Sequence, residues 1–127
     1  MTTAETAHSP IVYKIATRTA WAEAVAGGAY RGSADDARDG YIHLSMGSQL
    51  TATANKYFNG VMDLVLVAIP AADLGECLIF ELSRGGELFP HYYGSLPVKA
   101  ARWVRPLPLD ETGVPCVAAT LGFEPNA

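Results

Sequence analysis

Cysteine and histidine are both scarce in this 127-residue chain, at two and three copies. Cys77 and Cys116 lie far apart and neither belongs to a C-x-x-C pair, which argues against a zinc knuckle or dithiol redox chemistry. Both read as reduced, small apolar residues. No apolar run approaches the roughly 20 residues needed to span a membrane, and the opening MTTAETAHSP has neither the basic nor the apolar part of a secretory signal. The expected address is therefore cytoplasmic, with no membrane contact. Charge is sparse too. Only 17% of residues are charged, the net charge is −4 and the pI is near 5.2, which argues against broad nucleic-acid binding because that needs many phosphate-neutralising cations. G-x-S-x-G, Walker and H-E-x-x-H motifs are missing as well, so hydrolase, nucleotide-triphosphatase and zinc-protease classes lose most of their support. No metal is expected.

What is present is apolar. Half the residues are hydrophobic, and a chain this long buries roughly two thirds of its unfolded surface in one domain. The expected organisation is a disordered N-terminal tail over 1–10, one globular domain over 11–120, and a C-terminal tail over 121–127. IVYKIA from Ile11 reads as a strand, with Ile11, Tyr13 and Ile15 on one face and Val12, Lys14 and Ala16 on the other. A short helix follows, with Thr17 or Thr19 as N-cap, Trp21, Ala24 and Val25 as its apolar stripe, and Gly27-Gly28 as its stop. AYRGSADDARDG has too little apolar content for core and reads as a loop. YIHLS is a second strand, and a second helix is expected over about 48–58. VMDLVLVAI reads as a strand buried on both faces, CLIFELS as another, and RGGELFPHYYG as a connection. VKAARWVRP is a strand near an edge, with one more short strand at Cys116 to Thr120. Helices early and strands late indicate an α+β domain with antiparallel or mixed sheets.

Two phrases concentrate the chemistry. GYIHLS (Gly40 to Ser45) and FPHYYG (Phe89 to Gly94) hold His43 and His91, and the remaining histidine, His8, is in the N-terminal tail. Alternation puts Tyr41, His43 and Ser45 on one face, opposite Ile42 and Leu44. The same rule sets Glu81 as a lone carboxylate on a partly apolar strand face. Pro90 stiffens the second phrase, which suits Tyr92 and Tyr93 to stacking on a flat ring. Each histidine taken singly also fits a packed position that bonds a backbone carbonyl. The cations Arg84, Lys99, Arg102 and Arg105, set against Glu87 alone, read as solvated strand faces or as an anion-binding lobe.

Taken together, IVYKIA, Trp21, Gly28-Ala29-Tyr30, DGYIHLS, Gln49, KYF, LVLVAI, Phe80-Glu81 and FPHYYG resemble a small bacterial family, domain of unknown function 952, from about Ile11 to Arg105. That family is thought to be similar in fold to the ADP-ribosyltransferases, in particular the RNA 2′-phosphotransferases. The resemblance implies a split β-sheet with a ligand cleft and helices packed on the N-terminal half. It further implies NAD as the bound nucleotide, with its glycosidic bond as the point of reaction. A histidine that bonds a ribose hydroxyl in those enzymes falls on Lys14 here, and a second one falls on His43. Lys14 is a departure, since an ammonium donates but cannot accept, and its charge opposes a cationic ribose.

The expected catalytic set is Lys14, His43, Glu81 and His91, with Tyr41, Ser45, Arg84, Tyr92 and Tyr93 contacting a nucleotide-like small molecule. Glu81 is expected either to offset the Lys14 charge as a salt-bridge partner or, if close enough, to be the carboxylate that polarises the ribose. Two further readings share these residues. One is acid-base cleavage of RNA or a cyclic phosphodiester by two imidazoles and a lysine; the other is a nucleotide- or anion-binding module without turnover. A monomer or weak dimer is expected.

Overall fold

The two longest apolar strands pair with each other along their whole length: β1 (Ile11–Thr17) lies antiparallel to β5 (Leu64–Pro70), with Ile11 opposite Pro70 and Thr17 opposite Leu64. The computed structural model describes residues 10–122; all but the last residue of the expected tail over 1–10, including His8, and most of that over 121–127 lie outside them. β9 (Trp103–Leu107) and the two-residue β4 (Ser45–Met46) flank this pair, giving the order β4-β1-β5-β9. The sheet is buried on both faces. Val12, Ala16, Val65, Val67 and Ile69 face one core, while Ile11, Tyr13, Ile15, Leu64, Leu66 and Ala68 face another.

The first core is closed by helix α1 (Arg18–Gly27), which contributes Trp21 and Ala24, and by residues of two smaller sheets. One pairs β2 (Ala29–Tyr30) with β8 (Leu96–Pro97). The other has the order β3-β7-β6, from β3 (Ile42–His43), β7 (Leu88–Tyr92) and β6 (Leu78–Leu82). The second core is closed by α3 (Leu50–Tyr57) and α4 (Val117–Leu121), supplying Leu50, Ala54 and Val117. This is an α+β architecture of several antiparallel sheets with helices on both faces of the largest.

Several local expectations are corrected. AYRGSADDARDG is not a loop: it forms β2 and a one-and-a-half-turn helix, α2 (Ala34–Asp39). Its stability comes from capping rather than an apolar stripe. The Ser33 hydroxyl accepts from the Asp36 N–H at 3.2 Å, and the Asp36 carboxylate accepts from the Ser33 N–H at 2.8 Å. FPHYYG is mostly strand, because β7 is the middle strand of its sheet, an unusual place for a proline. Pro90 is tolerated because β3 pairs with β7 only at Ile42↔Tyr92 and His43↔His91. The next residue, Leu44, donates to the Pro90 carbonyl at 3.1 Å, and the return bond that an N–H at position 90 would make is missing. There the chain leaves one sheet for the other, so YIHLS is two short strands rather than one. The stretch Cys116 to Thr120 is not a strand: Cys116 is the N-cap of α4 (Val117–Leu121), whose carbonyls at Thr120 and Leu121 are held by Arg105 at 3.0 and 3.3 Å. Val25 is exposed, as are Val61 and Met62, which precede β5 instead of belonging to it.

Candidate functional site

β4 covers β1 only at Val12 and Tyr13, so among the described residues the edge of β1 at Lys14 and Ile15 has no strand partner on that side. A cavity of about 250 Å³ opens beside this edge. Lys14, Tyr41, His43, Ser45 and His91 all line it, joined by Asp36 and Asp39 of α2. Alternation in GYIHLS thus sends Ile42 and Leu44 into the first core and the Tyr-His-Ser face to the cavity.

Asp36 is the hub. Its carboxylate accepts from Lys14 Nζ at 3.0 Å, from the His43 N–H at 3.0 Å, from His43 Nδ1 at 2.6 Å and from the Ser33 N–H at 2.8 Å. Burial pushes this carboxyl up, but the His43 hydrogen bond, the Lys14 charge and the two backbone N–H groups outweigh it and hold the group well below the usual carboxylate range. Burial pulls the Lys14 ammonium down from its ordinary value, and Asp36 opposes that pull. Lys14 also donates to the His43 carbonyl at 3.1 Å. Its counter-charge is therefore Asp36, not Glu81 as expected from the sequence.

His43 is held at both ring nitrogens, Nδ1 on Asp36 and Nε2 on Asp39 at 2.9 Å. Both can donate only when the ring is doubly protonated. Asp39 also accepts from Arg38, and that hydrogen bond is the main reason its carboxyl lies below the ordinary value.

His91 belongs to a second unit. Its Nδ1 lies 2.7 Å from Glu81 Oε1, the same oxygen that accepts from the Tyr93 hydroxyl at 2.7 Å. Those two hydrogen bonds lower the Glu81 carboxyl. The Tyr41 ring bridges the units, stacked on His91 with centroids 3.9 Å apart and tilted against His43 at 4.7 Å. The two imidazoles are 5.9 Å apart across the same cavity. Of the remaining expected contacts, Glu81 and Tyr93 are not among the residues that line the cavity, Tyr93 being partly exposed, and Tyr92 faces the other way, into the first core. The side chain of Arg84 lies outside the described residues.

Asp36 and Asp39 are the candidate-site residues that reading for apolar periodicity missed. The spacing Ser33-x-x-Asp36 carried the signal, since a hydroxyl three residues before a carboxylate marks a capped helix start.

A family model described as "Protein of unknown function (DUF952)" matches residues 15–104, which takes in every one of these site residues except Lys14. The chain belongs to the DUF952 family. A crystal structure of protein CC0527 from Caulobacter crescentus is 48% identical, with a TM-score of 0.81 over 83% of this chain and 92% of that one. A solution NMR structure of CC0527 agrees, at 46% identity and a TM-score of 0.79 over 90% of this chain and 98% of that one. No curated protein matches the chain significantly. Among the described residues, no helix is long and apolar enough to cross a membrane, and no group of three or more His, Cys, Asp or Glu side chains is arranged to hold a metal ion.

Proposed function

We propose that this DUF952 domain binds a ribose-bearing nucleotide, with NAD as the first candidate, and acts on its glycosidic carbon in the manner of an ADP-ribosyltransferase. The observation that carries this reading is the pairing of Lys14 with Asp36. With the ammonium neutralised, the objection that it repels a cationic ribosyl centre falls away. The polar wall then carries three carboxylates, Asp35, Asp36 and Asp39, beside Lys14, Arg38 and His43, and carboxylates so placed favour positive charge developing on a sugar. At about 250 Å³ the cavity is just below the ~300–1,000 Å³ of typical ligand pockets. That is room for a nucleoside portion, with the rest of a dinucleotide outside it. NAD would supply the ribosyl carbon and a base that leaves as neutral nicotinamide.

The same geometry weakens the phosphodiesterase reading. Its lysine is committed to a buried carboxylate and one of its two imidazoles is bonded at both nitrogens, so neither is free to serve a phosphorane. The second reading that keeps support is a nucleotide-binding module without turnover, because His43 is fully engaged by the protein's own side chains. The test is an NMR titration with NAD at about millimolar concentration, followed by an assay for free nicotinamide. The transferase reading expects shifts centred on Tyr41 and His43 and release that falls to background in His43→Ala. Shifts without release support the module. No shift anywhere in the cavity removes both.

A further inference from the structure

The two histidines of the cavity differ in one respect that decides their chemistry. His43 has both nitrogens bonded, whereas His91 has only Nδ1 bonded, to Glu81. Among the described residues no group bonds His91 Nε2. Nor is any fully buried side-chain nitrogen or oxygen left without a partner among them. The unbonded Nε2 therefore keeps some accessible surface on a ring that is otherwise buried, 4% exposed, and that lines the cavity. A carboxylate at Nδ1 selects the tautomer with the proton on Nδ1 and the lone pair on Nε2. Tyr41, stacked at 3.9 Å and 22°, fixes the plane of the ring, and the Tyr93 hydroxyl fixes the carboxylate.

We infer that His91 is the proton acceptor of the cavity, its Nε2 serving a hydroxyl or water nucleophile, with Glu81 and Tyr93 as positioning residues that act through it. The identity of the electrophile rests on the transferase reading above; the role of His91 as base rests on its own geometry. In the step, the nucleophile's O–H proton passes to Nε2 while its oxygen bonds the ribosyl carbon. The electron pair of the broken C–N bond leaves with the heterocyclic base, which becomes neutral. The imidazolium then returns its proton to water. His43, tied to Asp36 and Asp39, takes no part in that transfer. The two imidazoles thus divide the work, one shaping the charge of the wall and the other moving the proton.

The assignment is tested on the free protein by two-bond ¹H–¹⁵N correlation spectra of the imidazoles in mildly alkaline buffer. His91 is expected to show a protonated Nδ1 and an unprotonated Nε2. Glu81→Ala is expected to lose that preference, and Tyr93→Phe to keep the tautomer with a perturbed Nδ1 shift. A protonated Nε2 in the unsubstituted protein, or a tautomer indifferent to Glu81→Ala, overturns the inference whether or not NAD binds. If nicotinamide is released, Glu81→Ala should slow release at least tenfold without weakening NAD binding. An unchanged rate in a folded Glu81→Ala protein likewise overturns it.

Discussion

The buried pair of Lys14 and Asp36 is where one side chain decides most about this protein. Side-chain exposures of 7% and 2% mean that either charge left alone would be stranded away from water. Asp36→Ala removes the only carboxylate that hydrogen-bonds Lys14 Nζ among the described residues, and we expect a loss of ~3–5 kcal/mol in urea unfolding. Lys14→Met should cost less, because Asp36 keeps its bonds from His43 and Ser33. The pair also sets a pH dependence. The folded-state carboxyl of Asp36 is held below its unfolded value of about 4. Its contribution is therefore complete above that pH and is lost as pH falls below it. Acid unfolding of Asp36→Asn, followed by circular dichroism, should show a flatter decline below about pH 4 than the parent protein.

Helix α2 shows what a sequence conceals at the level of an element. ADDARD has no apolar stripe, so periodicity reads it as loop; the helix exists because Ser33 and Asp36 cap it, Asp35 and Asp36 occupy its first turn and Arg38 its last. The capping carboxylate is also the hub of the cavity, so capping and site geometry are one interaction. Ser33→Ala should cost ~1 kcal/mol, as for other caps, and should shift the His43 ring resonances as well as the melting temperature. Gly32→Ala is the sharper test. Gly32 has φ +108, and a Cβ there would lie 2.7 Å from the Cβ of Asp36, so the substitution is strained and must displace Asp36. It should lower the melting temperature more than Ser33→Ala and shift the same His43 signals. By contrast, α1, with its Thr17 cap at 3.1 Å and its Gly28 stop, was legible in advance, because its signals are the ordinary ones of cap, stripe and glycine.

Over the whole molecule, the α+β class and the doubly buried β1–β5 pair could be read from apolar runs, since an uninterrupted run needs cover on both faces. The division of strands among separate sheets could not, because two-residue strands carry too little periodicity to reveal a partner. The common cavity of His43 and His91 was legible only in outline: alternation gave Tyr41, His43 and Ser45 their face, but not the carboxylates that meet them. The two cores provide a test at this scale. Leu66 and Leu96 are both fully buried, one in each core. Each change to alanine should cost ~2–5 kcal/mol. With no shared cluster between them, the double variant should equal the sum within ~0.5 kcal/mol by denaturant titration.

Between His43 and Ser45 the backbone passes from one sheet to another, at the point where Pro90 offers no N–H. Lys14 reaches from the larger sheet to the carbonyl of His43 in the smaller one, so its ammonium works as a stitch across a seam. The imidazole of His43 is carried by one sheet while its peptide is fastened to the other. A rotation of the sheets against each other would therefore strain this stitch together with the first core, to which both sheets contribute.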